Sequence, residues 1–151
     1  MAYLTENEVI SGREGQVVAV VGSNVYELAE VRKLEAKVTK KKTSFKVLGY
    51  RGEQNKASGY RAEGSMTIYY STTLWSQIMR EYTAGGRDAS FSVLITNEDP
   101  SSSIGAQRVR LNGCNLNELI IAKIDADAEF LDYDVSFTFN DYDILESFRV
   151  G

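Results

Sequence analysis

Within the segment from Glu129 to Phe139, apolar and polar residues alternate without interruption from Leu131 onward. Tyr133, Val135, Phe137 and Phe139 fall on one side, and Asp132, Asp134, Ser136 and Thr138 on the other. A repeat of two with one apolar face is the pattern of a half-buried β-strand. The same period runs through SMTIYY at 65–70, where Met66, Ile68 and Tyr70 alternate, and through ASFSVLIT at 89–96 with Phe91, Val93 and Ile95. RVRLNGCNL at 108–116 alternates Val109 and Leu111, residues 119–123 add a short apolar run, and Val17 to Val21 is a β-branched run suited to a buried strand.

One stretch changes period. From Leu74 the apolar positions Leu74, Ile78 and Tyr82 recur every four residues, with Trp75 and Met79 beside them. This predicts a helix over 73–84, with Ser71, Thr72 and Thr73 as N-cap candidates and Gly85-Gly86 as its stop. The Trp75–Met79 pair reads as a face packed on a sheet before it reads as a ligand box. Residues 26–39 support two patterns. Leu28, Val31, Leu34 and Val38 suit an amphipathic helix, whereas Tyr26, Leu28, Leu34, Ala36 and Val38 suit one face of a strand. The turn signal Gly22-Ser23-Asn24 favours a hairpin, and periodicity leaves the choice open. The count is about seven strands and one helix in a single domain. That predicts a mainly β fold, an antiparallel sandwich or barrel with one flanking helix.

Composition narrows the chemistry. The 151 residues contain no histidine and one cysteine, Cys114. The usual general base at neutral pH and the commonest transition-metal ligand are therefore both missing, and zinc lacks its thiolates. No internal disulfide is possible, and Cys114 is expected to be a small buried residue rather than a reactive thiol. No phosphate-binding glycine loop or calcium loop occurs, and NEDPSSS at 97–103 reads as a turn around Pro100 rather than a cation site. The expectation is a protein with no catalysis, no metal and no cofactor. The start, MAYLTENEVISGREG, has neither a basic opening nor a long apolar run. Neither signal-directed export nor membrane insertion is expected.

Charge is unevenly placed. Residues 40–61 carry Lys40, Lys41, Lys42, Lys46, Arg51, Lys56 and Arg61 against Glu53 alone, a net +6 in a chain of net −4. The last 28 residues carry eight acids against Arg149, a net −7. The basic segment, spaced by Gly49, Gly52 and Gly59, is expected to be a long loop following a short strand at most, and loops of that length are usually functional. Three readings stand. It could grip nucleic acid through cations and the aromatics Phe45, Tyr50 and Tyr60. It could join copies of the chain head to tail, basic part to acidic part. It could be a solvated loop without a partner.

The order of parts resembles the tail tube proteins of tailed phages and phage-like particles, including the small tube subunits of contractile tails, prophage remnants and tail-like bacteriocins. The resemblance rests on ENEVISGREGQV at 6–17, the long polar segment 40–64 leading into GSMTIYY, the helix closed by a glycine turn before ASFSVLI, and SFTFNDYDIL at 136–145. It covers nearly the whole chain. The resemblance implies a β-sandwich or barrel with a flanking helix, six copies in a ring, and rings stacked into a hollow tube. Such a tube conducts DNA in transit or acts as a membrane-puncturing needle, in a virion or phage-like particle assembled in the host cytoplasm. It implies that residues 26–39 are strand, that 1–15 is an arm contacting neighbours, and that 40–64 takes part in ring stacking. It implies sheath, baseplate and tail terminator proteins as partners. Asp132, Asp134, Ser136 and Thr138 are then candidates for a face turned to lumen or solvent. The alternative is a small β-domain that binds nucleic acid through 40–61.

Overall fold

The computed structural model describes residues 15–28, 31–70, 74–100 and 102–148. In these, eight strands and one helix follow one another: β1 (Gly15–Val21), β2 (Asn24–Glu27), β3 (Val31–Phe45), β4 (Gln54–Tyr69), α1 (Leu74–Gly85), β5 (Phe91–Glu98), β6 (Ala106–Leu119), β7 (Asp132–Thr138) and β8 (Asp141–Glu146). Every pairing is antiparallel. The strands run in the order β2-β1-β5-β6-β7-β4-β3, β8 lies on β6, and the sheet does not close.

β6 belongs to two sheets. Its first half lies between β5 and β8, and its second half, from Asn115, pairs with β7. β7 and β8 follow one another along the same edge of β6, so the alternating C-terminal segment is two strands meeting at a corner. The Asn140 N–H donates to the Asn112 carbonyl at 2.9 Å across that corner. Gly113 makes the bend possible. Its φ of 64° lies in the left-handed region, and a Cβ there would lie 2.4 Å from Asn140 Nδ2.

The two sheets face each other over one core. Met66, Ile68, Tyr133, Val135 and Phe137 come from β4 and β7; Ala19, Phe91, Val93 and Leu111 come from β1, β5 and β6. α1 closes one side with Trp75 and Ile78, and the Trp75 and Phe91 rings meet edge-on at 5.1 Å. Phe137 lies so close to β4 that a Cβ on Gly64 would stand 2.6 Å from its ring. The helix ends as predicted, with the Gly86 N–H donating to the Tyr82 carbonyl at 2.9 Å. Tyr133, Val135, Phe137 and Phe139 are all buried, as their alternation requires.

The choice that periodicity left open falls as the resemblance implies: 26–27 lie in β2 and 31–39 in β3, and pairing with β4 overrides the helical spacing of Val31, Leu34 and Val38. Two other expectations change. The supposed long loop is largely a hairpin: β3 continues to Phe45 and β4 begins at Gln54, leaving only 46–53 as a turn. β8 raises the strand count to eight, and of 119–123 only Leu119 is strand. Of the expected arm 1–15, Gly15 opens β1 and residues 1–14 lie outside the described residues, as do the N-cap candidates 71–73.

Candidate assembly interface

The basic segment is the outer half of the β3–β4 hairpin. β7 pairs with β4 only from Glu63 onward, so beyond that level the two strands continue alone. Lys40 faces Tyr60, Lys41 faces Gly59, Lys42 faces Ala57 and Lys56 faces Thr43, with a bulge between Lys41 and Lys42. Lys46 and Arg51 sit in the turn. Among the described residues these six cations form no ion pair. Arg61 is different: it faces Thr39 at the hairpin's base and pairs with Glu63 at 3.3 Å. Two hydrogen bonds brace the ribbon. The Ser58 hydroxyl donates to the Lys41 carbonyl at 3.2 Å, and the Tyr60 hydroxyl donates to the Asn140 carbonyl at 2.7 Å. The turn is apolar as well as basic, with Val47, Leu48 and Tyr50 exposed and Leu48 wholly so.

Asp132, Asp134, Ser136 and Thr138 share the outward face of β7, and register extends that face across three more strands. Thr67, Ser65 and Glu63 lie opposite Asp134, Ser136 and Thr138; Lys33, Glu35 and Lys37 follow on β3, and Glu118 on β6 faces Ser136. The face is laced by local contacts. Arg32 Nη1 lies 2.9 Å from Asp132 Oδ2, the Thr67 hydroxyl donates to Asp134 at 2.7 Å, and Lys37 approaches Glu63 at 3.5 Å. Arg32, Lys33, Lys37 and Arg61 nearly balance Glu35, Glu63, Glu118, Asp132 and Asp134, so the face is close to neutral. Sequence reading found the β7 row and missed the others. The alternation Lys33-Glu35-Lys37 was the available signal, hidden by the helix-like spacing of its neighbours.

This four-stranded sheet has two open edges. The outer edge of β3 has no partner strand among the described residues, and neither has β6 from Asn115 to Leu119, because β5 stops opposite Cys114. Beside the β6 edge, an apolar cleft lies between Met79 of α1 and Leu119 and Ile121. Residues 120–131, joining β6 to β7, lie at the end of the sheet where β4 finishes, far from the hairpin turn. They expose Ile121, Ile124 and Phe130 among Asp125, Asp127 and Glu129. The Lys123 ammonium is held inward, donating to the Asp132 carbonyl at 2.7 Å.

Cys114 is buried, and burial pushes its thiol up to about 12, against a smaller opposing effect of a backbone hydrogen bond at Val93. It stays protonated at neutral pH and is a poor nucleophile. The Pro100 turn closes with the Ser102 N–H on the Asp99 carbonyl at 2.9 Å. Among the described residues no cluster of three or more acids or cysteines could hold a metal, and no helix is long and apolar enough to cross a membrane.

Known proteins share this design. Two Bacillus subtilis (strain 168) proteins are each 34% identical to the chain. Uncharacterized protein YqbM matches over 99% of this chain and 98% of its own length, and phage-like element PBSX protein XkdM over 97% and 96%. Among solved structures, a chain of the anti-feeding prophage tube-terminating cap superposes with a TM-score of 0.70 at 6% identity, covering 97% of both chains. A chain of the anti-feeding prophage baseplate gives 0.69 at 13% identity, covering 96% of this chain and 97% of its own. A chain of an extracellular contractile injection system's sheath–tube complex gives 0.66 at 6%, covering 87% and 89%. At those identities the likeness establishes the fold. The family model for phage tail tube protein, DUF2001, matches residues 2–146. An open antiparallel sheet and a long hairpin thus accompany a match over almost the whole chain, and the chain belongs to the phage tail tube family, a structural component of tails.

Proposed function

We propose that copies of this chain close into rings through the two open edges of the four-stranded sheet, and that the rings stack into a hollow tube. The observation that carries this is strand direction. β6, β7, β4 and β3 alternate, so β3 of one copy meets β6 of the next antiparallel, the same relation as every pairing within the copy. Repeating the sheet around an axis satisfies both edges and removes an association hazard. Six copies agree with the six-fold symmetry of the anti-feeding prophage baseplate that the fold resembles. About 24 strands spaced about 4.8 Å and tilted about 40° enclose a barrel about 48 Å across. A second sheet and a helix outside it, each adding about 10 Å, bring the width to about 9–10 nm.

In that ring the near-neutral face of Asp132, Asp134, Ser136 and Thr138 lines the channel. Arg32, Lys37 and Arg61 are engaged by Asp132 and Glu63, so the face offers passing DNA few free phosphate contacts, which suits transit rather than retention. The hairpin 40–61, with Lys40, Lys41 and Lys42, projects along the axis towards the adjoining ring. Sheath, baseplate and terminator proteins are the fitting partners, and the tail of a virion or phage-like particle, assembled in the host cytoplasm, is the place.

Electron microscopy of purified protein without nucleic acid tests the reading. Tubes about 9–10 nm wide built of rings are expected from the geometry above. Monomers that retard DNA in a gel at physiological salt would overturn it in favour of a nucleic-acid-binding β-domain.

A further inference from the structure

We infer that the apolar, basic hairpin turn 46–53 of one copy seats on the apolar, acidic segment 120–131 of a copy in the adjoining ring. The inference rests on the stacking reading and names the surface that receives the hairpin.

Each surface is incomplete alone. The turn exposes Val47, Leu48 and Tyr50 between Lys46 and Arg51, net +1 with Glu53, and segment 120–131 exposes Ile121, Ile124 and Phe130 beside Asp125, Asp127 and Glu129, net −2 with the inward-held Lys123. Leu48 is fully exposed, Ile124 is 97% exposed and Phe130 75%, so side chains that ordinarily seek burial stand in water at both places. The apolar groups match and the charges oppose.

Their positions make the contact intermolecular. β4 runs from Gln54, beside the turn, to Tyr69, which pairs with Asp132 beside the acidic segment. Sixteen strand residues span about 50 Å. The two surfaces thus occupy opposite ends of the β3–β4 ladder and do not meet within a copy. Complementary patches at opposite ends of a molecule make head-to-tail contacts, which extend along an axis. The open edges of β3 and β6 lie across that axis and serve a separate contact, so stacking and ring closure are separable by mutation.

Two charge-reversed proteins provide the test. One carries Lys42→Glu, Lys46→Glu and Arg51→Glu; the other carries Asp125→Lys, Asp127→Lys and Glu129→Lys. Thermal melting against wild type first establishes that each folds. Alone, each should form rings but about tenfold less sedimentable tube at low salt, because like charges then meet at every stacking contact. Mixed in equal amounts they should recover tubes of alternating rings, in which each reversed surface meets its complement. Normal tubes from the Asp125, Asp127 and Glu129 variant alone, or no recovery on mixing, would overturn the pairing. Should a reversed protein not fold, a chain carrying Leu48→Cys and Ile124→Cys decides: assembled under oxidant it should give a ladder of cross-linked multimers, and a monomer band alone would overturn the contact. Wild-type protein that forms no tubes would instead sink the tube reading itself, and this contact with it.

Discussion

The β3–β4 hairpin is two structures in one pair of strands. In its lower half, β7 lies on the far side of β4, Met66 and Ile68 enter the core, and Arg61, Glu63 and Lys37 are engaged with one another. In its upper half the same ladder continues, among the described residues, with no third strand, no core beneath it and six cations without ion pairs. An isolated two-stranded ribbon is marginal in water. The contrast separates what folds the molecule from what the molecule offers to others: burial does the first, and the upper half contributes almost nothing to it.

Breaking the lower half should have the largest effect. Phe137→Ala empties a fully buried site between β4, Phe91 and Phe139 and should cost about 3–5 kcal/mol, measured by urea unfolding. Gly64→Val, which drives a side chain into the Phe137 ring, should cost about 1–3 kcal/mol in the same experiment. The upper half should answer oppositely. Replacing residues 42–57 by an Asn-Gly turn should leave the melting temperature within a few degrees while abolishing tubes. A large loss of monomer stability there would erase the distinction between the halves. Reversing Lys40, Lys41 and Lys42 to glutamate sharpens it: monomer unfolding should be unchanged within about 0.5 kcal/mol, and polymerisation impaired most at low salt. Normal polymerisation would remove these lysines from the interface.

Smaller effects probe the faces. Asp132→Lys with Asp134→Lys should leave tubes intact and slow DNA passage in particles that carry DNA; unchanged ejection would move that face off the channel. Asp143 on β8 is held below the ordinary carboxylate range by hydrogen bonds from Arg110 and Asn112. A carboxylate so depressed stabilises the fold above its unfolded value, and that contribution fades as pH falls through the lower, folded value. Asp143→Asn should therefore be slightly less stable than wild type at pH 7, and the gap should close in strong acid. A gap that widened on acidification would contradict the assignment.

The lower half was readable in the sequence because burial leaves a period. Tyr133, Val135, Phe137 and Phe139 announced both their strand and their face, and Leu74, Ile78 and Gly86 announced the helix and its end. The upper half has no buried face, so nothing in 40–61 alternates, and a hairpin of lysines and glycines reads as loop. Its charge was legible; its shape was set by the ladder begun in the lower half. The corner at Gly113 and Asn140 was hidden for another reason. It arises from contact between residues about 27 positions apart, which no local pattern records. The resemblance supplied what periodicity could not, the strand assignment of 26–39.

β6 passes without a break from the outer sheet into the sheet with open edges. Any pull applied at Asn115–Leu119 is therefore carried by covalent backbone into Arg108–Asn112, where strands grip it on both sides. Two sheets joined only by side-chain packing can slide or peel apart; two sheets sharing a strand must move as a single girder. In a filament that is driven end-on or twisted, that shared strand acts as a tie, taking tension along its strongest bonds and leaving the packed core to resist compression.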